Sequence, residues 1–114
     1  MAYFIVDLGC EKTINGFYLR NTHNAERYNR GTGEFTIFSQ IIPGDQWKEL
    51  VNGELEEISR TSLELTNFIA IENSSTVRFV KFQVDSFYGS GGGLQYFAVN
   101  EMENIGESYS GDFQ

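Results

Sequence analysis

The chain has 114 residues, enough for one domain and too few for a second independent core. A hydrophobic share of 40%, with ten Phe, six Tyr, one Trp and one Pro, argues for a strand-rich protein and against intrinsic disorder. Sixteen acidic against eight basic residues leave a formal charge of -8, which speaks against nucleic acid and anionic membranes as partners and for a neutral or cationic ligand.

The apolar pattern has a period of two. Tyr3 to Leu8 reads as a short strand that Gly9 ends, and Thr13 to Arg20 as a second one. Within the latter, Phe17 and Leu19 make a better inward pair than strict alternation from Ile14 allows. A bulge at Asn15-Gly16 reconciles the two phases, Gly16 tolerating the unusual dihedrals; a two-residue hairpin turn there is the competing reading. Residues 21–33, NTHNAERYNRGTG, form a polar loop. Glu34 to Gln40 is a strand with Phe35 and Ile37 on one face. The turn Ile41-Ile42-Pro43-Gly44-Asp45 leads to a short strand from Trp47 to Val51, and Asn52-Gly53 reads as the next turn. The stretch 54–64 carries a weak helical stripe and an equally weak strand pattern, and is expected to be an irregular or strand-like connection. Phe68 to Glu72 and Val77 to Ser86 are strands, the second alternating Val80, Phe82 and Val84 with polar residues. A Gly-rich loop, Tyr88 to Gly93, precedes the last strand, Leu94 to Met102. A polar acidic tail, 104–114, follows a domain over 1–103. Short strands separated by turn clusters predict an all-β, antiparallel β-sandwich.

Several chemistries are excluded by counting. Cys10 is the single cysteine, so an internal disulfide framework and a cysteine-based zinc site are ruled out. His23 is the single histidine, and a catalytic triad would have to be built around it in the polar loop. Paired acids such as Glu56-Glu57 sit on segments that read as exposed, without the apolar pocket that would split their pKa values. The reading is therefore not an enzyme. The start of the chain has no basic n-region, and no stretch approaches a membrane span of about 20 apolar residues.

The strand motifs, taken in order, resemble a known family. Tyr3-Phe4-Ile5-Val6-Asp7-Leu8-Gly9 followed by Thr13-Ile14-Asn15-Gly16-Phe17-Tyr18-Leu19 is similar to the "W-V-x-V-D-L-G … I-x-G-V-x-L" run of discoidin domains, also called coagulation factor 5/8 type C or galactose-binding-like domains. Arg30 to Ile37 resembles the family's "R-x-T-x-x-Y-x-I" strand, and Trp47-Lys48-Glu49-Leu50 its "W-x-x-L" element. Val77 to Phe82 resembles "A-R-Y-V-R-L", and Gly92 to Val99 the closing "G-x-x-x-x-F-x-V" strand. The resemblance implies a jelly roll whose loops at one end bind ligand. The family's opening segment, with "D-G-x-x-x-T-x-W", would lie before Met1; either the chain is a fragment or those strands are dispensable here. An absent terminal strand would expose a sheet edge, so self-association through that edge is expected.

Candidate binding residues fall in two loops. His23, Asn24, Arg27, Tyr28, Asn29 and Arg30 supply multi-donor side chains for paired hydroxyls and an aromatic face for stacking. In sugar-binding members of the family an Arg just before the third matched strand contacts the ligand, and Arg30 matches that position, with Arg27 near it. Tyr88, in the Gly-rich loop, matches a ligand-contacting aromatic. The resemblance also implies calcium as a candidate cofactor, with Glu101 the matching carboxylate; one carboxylate alone cannot supply the six to eight oxygens calcium takes. The expectation is a non-catalytic module binding carbohydrate or glycoprotein, galactose-type glycans first, with a protein–protein interaction subunit on the same scaffold as the alternative. By resemblance such a domain is extracellular or at the cell surface, although this chain shows no signal peptide.

Overall fold

The computed structural model describes residues 2–21, 31–56, 66–88 and 93–102. The described residues form five strands: β1 (Tyr3–Asn21), β2 (Glu34–Gln40), β3 (Lys48–Glu54), β4 (Thr66–Val84) and β5 (Leu94–Glu101). All pairings are antiparallel and hydrogen bonds link the strands in the order β3-β2-β4-β1-β5.

That single hydrogen-bonded sheet folds over on itself. β1 and β4 are both 19 residues long, and their pairing slips twice. Between Asp7 and Lys12, residues 8–11 of β1 stand against Arg78 alone; between Ile14 and Gly16, residues 71–74 of β4 stand against Asn15 alone. Each slip bends the pair, as bulges do. The proof of folding is Phe97 on β5, paired with Leu19, whose ring also meets that of Phe4 at 5.3 Å. A straight strand from Phe4 to Leu19 would separate them by about 50 Å. One layer is thus β3, β2, the second half of β4 and the first half of β1. The other is the first half of β4, the second half of β1 and β5.

Between the layers lies an aromatic core. Phe82 stacks on Phe35 at 5.4 Å and on Phe4 at 5.5 Å, and meets Phe97 edge-on at 5.7 Å; Phe97 also stacks on Phe17. Ile14, Leu19, Ile37, Val77 and Val80 complete it without exposure. These are the inward positions of a period-two pattern, and burying each such side chain contributes about 1.5–3 kcal/mol before entropy is counted.

Four local expectations change. Gly9 does not end a strand: it lies inside β1 with φ +89°, at the first slip, and its N–H donates to Asp7 Oδ1 at 2.8 Å. The Asn15-Gly16 bulge is present, but Gly16 is not at positive φ; a Cβ there would lie 2.5 Å from the Phe68 ring and 2.7 Å from the Ile69 carbonyl. Closeness of approach, not a special dihedral, requires glycine. Asn52-Gly53 is not a turn but part of β3, opposite Thr36 and Phe35, where the Phe35 ring fills the space above Gly53. The two strands read at 68–72 and 77–86 are one strand, β4, carried continuously through the second slip. The turn after β2 is as expected: Asp45 N–H donates to Ile42 O across Pro43 and Gly44, with Gly44 at φ +94°, a type II geometry. The tail 104–114 lies outside the described residues.

One edge stays uncovered among the described residues. β5 pairs only with β1 from Ile14 onward, so Tyr3 to Asp7 have β4 on one side and no described strand on the other. Tyr3, Phe4 and Ile5 are 59%, 39% and 48% exposed there.

Candidate functional site

At one end of the sandwich three chain segments leave the sheets within hydrogen-bonding reach of one another. The alternation that turns Phe17 and Leu19 inward also turns Asn21 inward, where it is 1% exposed. A buried amide must be paired, and this one is paired on both sides. Its Oδ1 accepts from Thr32 N–H at 2.9 Å, and its Nδ2 donates to Thr32 O at 3.0 Å and to Glu56 O at 2.8 Å. The end of β1, the approach to β2 and the exit from β3 are thereby held together.

The fourth partner is the Gly-rich loop. Thr32, fully buried, donates from Oγ1 to Gly93 O at 2.8 Å and pairs with Phe87. Tyr88 N–H donates to Gly31 O at 2.8 Å, and its hydroxyl donates to Leu55 O at 2.6 Å. Gly33 N–H donates to Ser86 O, and a Cβ on Gly33 would stand 2.8 Å from Ser86 Oγ, displacing the hydroxyl that accepts from Glu34 N–H at 2.8 Å. Asn21, Gly31, Thr32, Glu56, Tyr88 and Gly93 therefore share a common base, a rim whose foundation is polar, buried and bonded at Asn21 and Thr32.

Of the residues expected to bind ligand, His23, Asn24, Arg27, Tyr28, Asn29 and Arg30 lie outside the described residues. What the structure supplies is where their loop is rooted, at Asn21 and Gly31, beside the loop that carries Tyr88. The Tyr88 ring is half-buried and its hydroxyl bonds to Leu55 O, so this side chain ties two loops together. Sequence reasoning missed three features: the Asn21–Thr32 pair, the place of Leu55 and Glu56 beside it, and Phe87. Phe87 is 50% exposed at the rim, an aromatic face next to Tyr88. Asn21 was legible as the next inward position after Leu19, whereas its partners were not.

Other residues sit elsewhere. Glu101 pairs with Ile14 at the opposite end of β5 from Leu94, and its carboxylate forms an ion pair with Lys12 Nζ at 3.3 Å. No group of three His, Cys, Asp or Glu side chains gathers among the described residues. An ammonium against the one candidate carboxylate opposes a cation there, so the described residues do not fit a calcium site. Trp47 is half-buried near the start of β3, away from the rim. The Lys81 ammonium stands over its ring at 4.9 Å and over those of Phe38 at 4.8 Å and Tyr3 at 5.4 Å, so cation–π contact takes up this cluster. Asp7 is also remote from the rim: Arg78, then the Gly9 N–H, hold its carboxyl below the usual range.

No family model matches the sequence, and no curated protein matches it. Solved structures do. CpGH89CBM32-6, produced by Clostridium perfringens, superimposes with a TM-score of 0.60 at 16% identity, over 88% of this chain and 68% of that one. CBM32-3 from a family 31 glycoside hydrolase of Clostridium perfringens gives a TM-score of 0.60 at 18% identity, over 86% of this chain and 61% of that one. Both are carbohydrate-binding modules of the discoidin, galactose-binding-like β-sandwich type, and this chain has their fold. It spans about two-thirds of their length.

Proposed function

We propose that this chain is a non-catalytic carbohydrate-binding module that takes galactose-type glycans at the rim. The observation that carries the reading is the meeting of the end of β1, the approach to β2, the exit from β3 and the entry to β5 at the Asn21–Thr32 base, in a fold shared with two carbohydrate-binding modules. The loop rooted there is the one that holds Arg27, Arg30, Asn24, Asn29, His23 and Tyr28, a donor-rich set with two rings. Phe87 adds an exposed aromatic face of the kind that stacks on the C–H side of a pyranose, and Tyr88 fixes the neighbouring wall. Galactose, with an axial hydroxyl beside an apolar C–H patch, suits an arginine fork next to a ring.

A glycan array followed by titration of the hits tests it. The intact chain binds one or more galactose-containing glycans, Arg30→Ala reduces affinity at least tenfold, and Phe87→Ala reduces it severalfold. Absence of binding to every glycan, or binding indifferent to both variants, overturns the assignment.

A second reading has one observation in its favour. Tyr18, Phe68 and Tyr96 are 38%, 46% and 45% exposed on the outer face of the β4–β1–β5 layer, with Arg20 over the Tyr96 ring at 5.3 Å. A protein partner docking on that face makes the chain an interaction subunit. Tyr96→Ala with Phe68→Ala would then abolish capture of a protein partner while glycan binding is untouched.

A further inference from the structure

We infer that the end of the sandwich opposite the rim carries a second binding site, for a neutral polyhydroxylated ligand of monosaccharide size. A cavity of about 410 Å³ lies there, between the end of β2, the turn that follows it, Lys48 of β3 and the arch of β4 at Ser74 to Thr76. That volume is in the range of small-molecule sites, which run from about 300 to 1,000 Å³.

The pointer to a ligand is Ser39. It shares the inward face of β2 with Phe35 and Ile37, is 5% exposed, lines the cavity, and its hydroxyl has no hydrogen-bond partner among the described residues. Burying a hydroxyl without a partner costs free energy, and native proteins leave few such groups unless something else satisfies them. An alanine would have filled this position at no such cost.

The walls around it are held in place. Gln40 Nε2 donates to Asp45 O at 2.7 Å, which pins the Pro43-Gly44 turn against β2. On the other side Ser75 Oγ donates to Asn73 O at 3.2 Å, and Thr76 and Thr13 share a hydroxyl contact at 3.3 Å. The lining offers hydroxyls (Ser39, Ser74), an amide (Gln46), one carboxylate (Asp45) and one ammonium (Lys48). One charge of each sign leaves no net field to select an ion, and no aromatic side chain lines the cavity to hold a flat apolar ligand. Clustered hydroxyl, amide and charged donors and acceptors without a ring match a compact molecule that presents several hydroxyls at once. The site does not depend on the rim: none of its residues belongs to the loops rooted at Asn21 and Thr32.

The test is amide chemical-shift titration of the full chain with D-glucose, D-galactose, myo-inositol and, as a zwitterionic probe, glycine. At least one polyol produces saturable shifts at Ser39, Asp45, Lys48 and Ser74; Ser39→Ala weakens them five- to tenfold, and Arg30→Ala leaves them unchanged. Ser39→Ala also keeps or raises the melting temperature, since it removes a buried group without a protein partner. The inference is overturned by absence of saturable shifts at these residues, by shifts that survive Ser39→Ala, by a response to glycine alone, or by a melting temperature that falls in Ser39→Ala.

Discussion

Asn21 and Thr32 form a closed amide-to-backbone pair, each donating one hydrogen bond to the other, at 3.0 and 2.9 Å, with both residues at most 1% exposed. It imitates one step of a strand ladder between two residues whose own ladder partners lie elsewhere, Leu94 for Asn21 and Phe87 for Thr32. Because Asn21 also donates to Glu56 O and Thr32 to Gly93 O, the pair sets the relative position of the end of β1, the approach to β2, the exit from β3 and the entry to β5. Asn21→Asp keeps the shape and loses both donors, which leaves two carbonyls facing a buried carboxylate. The expected loss is about 2–4 kcal/mol in urea denaturation, with glycan affinity falling as the loops separate. A loss below about 0.5 kcal/mol would show that the pair is not what holds the rim.

Gly16 allows the two strands of the second layer to close under Phe68. Gly16→Ala puts a Cβ within 2.7 Å of a backbone carbonyl, which cannot swing away as a side chain does. The expected destabilisation is about 1–3 kcal/mol. Phe68→Ala in the same chain is expected to relieve only part of it, because the Ile69 carbonyl remains. Full rescue by Phe68→Ala would assign the whole constraint to the ring.

Asp7 and Arg78 join β1 to β4 at the first slip, at 3.1 Å on the surface. Arg78, and next the Gly9 N–H, favour the ionised carboxyl in the folded chain. The folded form therefore gives up this proton more readily than the unfolded form. Its contribution to stability is whole above the ordinary carboxylate range and fades as pH falls through and below that range. The effect is small, because both groups are solvated. Carboxyl-detected NMR titration checks it: Arg78→Met raises the Asp7 midpoint, and an unmoved midpoint contradicts the pairing.

Among the described residues, the edge at Tyr3 to Asp7 faces no strand on the side away from β4, next to exposed Tyr3, Phe4 and Ile5. Such an edge is a template for strand pairing with a second copy. Light scattering over a hundredfold concentration range is expected to show growth in mass that Ile5→Lys suppresses. A concentration-independent monomer mass would mean that the edge is already satisfied.

How much of this was readable beforehand follows from the range of the interactions involved. Period-two alternation exposed the core faces, so Phe17 with Leu19, Phe35 with Ile37, and Val80 with Phe82 all point inward as expected. Glycines misled. Gly9 and Asn52-Gly53 carry local turn signals, yet the tertiary pairing keeps them within strands, because a bulge and the ring of Phe35 give each a place there. At the site, the polar loop and the Gly-rich loop were picked out by composition, and their common root at Gly31, Thr32, Tyr88 and Gly93 agrees with a shared rim. The bonds that make the root, Asn21 to Glu56 and Tyr88 to Leu55, connect residues more than thirty positions apart, and no local pattern encodes them. Phe87 was passed over because it sits one residue beyond the alternating strand.

The central claim is that the rim holds a sugar, and chemical-shift mapping with a galactose-terminated oligosaccharide addresses it directly. The account predicts saturable perturbation of the amides at Gly31, Thr32, Phe87, Tyr88 and Gly93, lost in Arg30→Ala. Perturbation confined to the face of Tyr18, Phe68 and Tyr96, or none at saturating sugar, would contradict it.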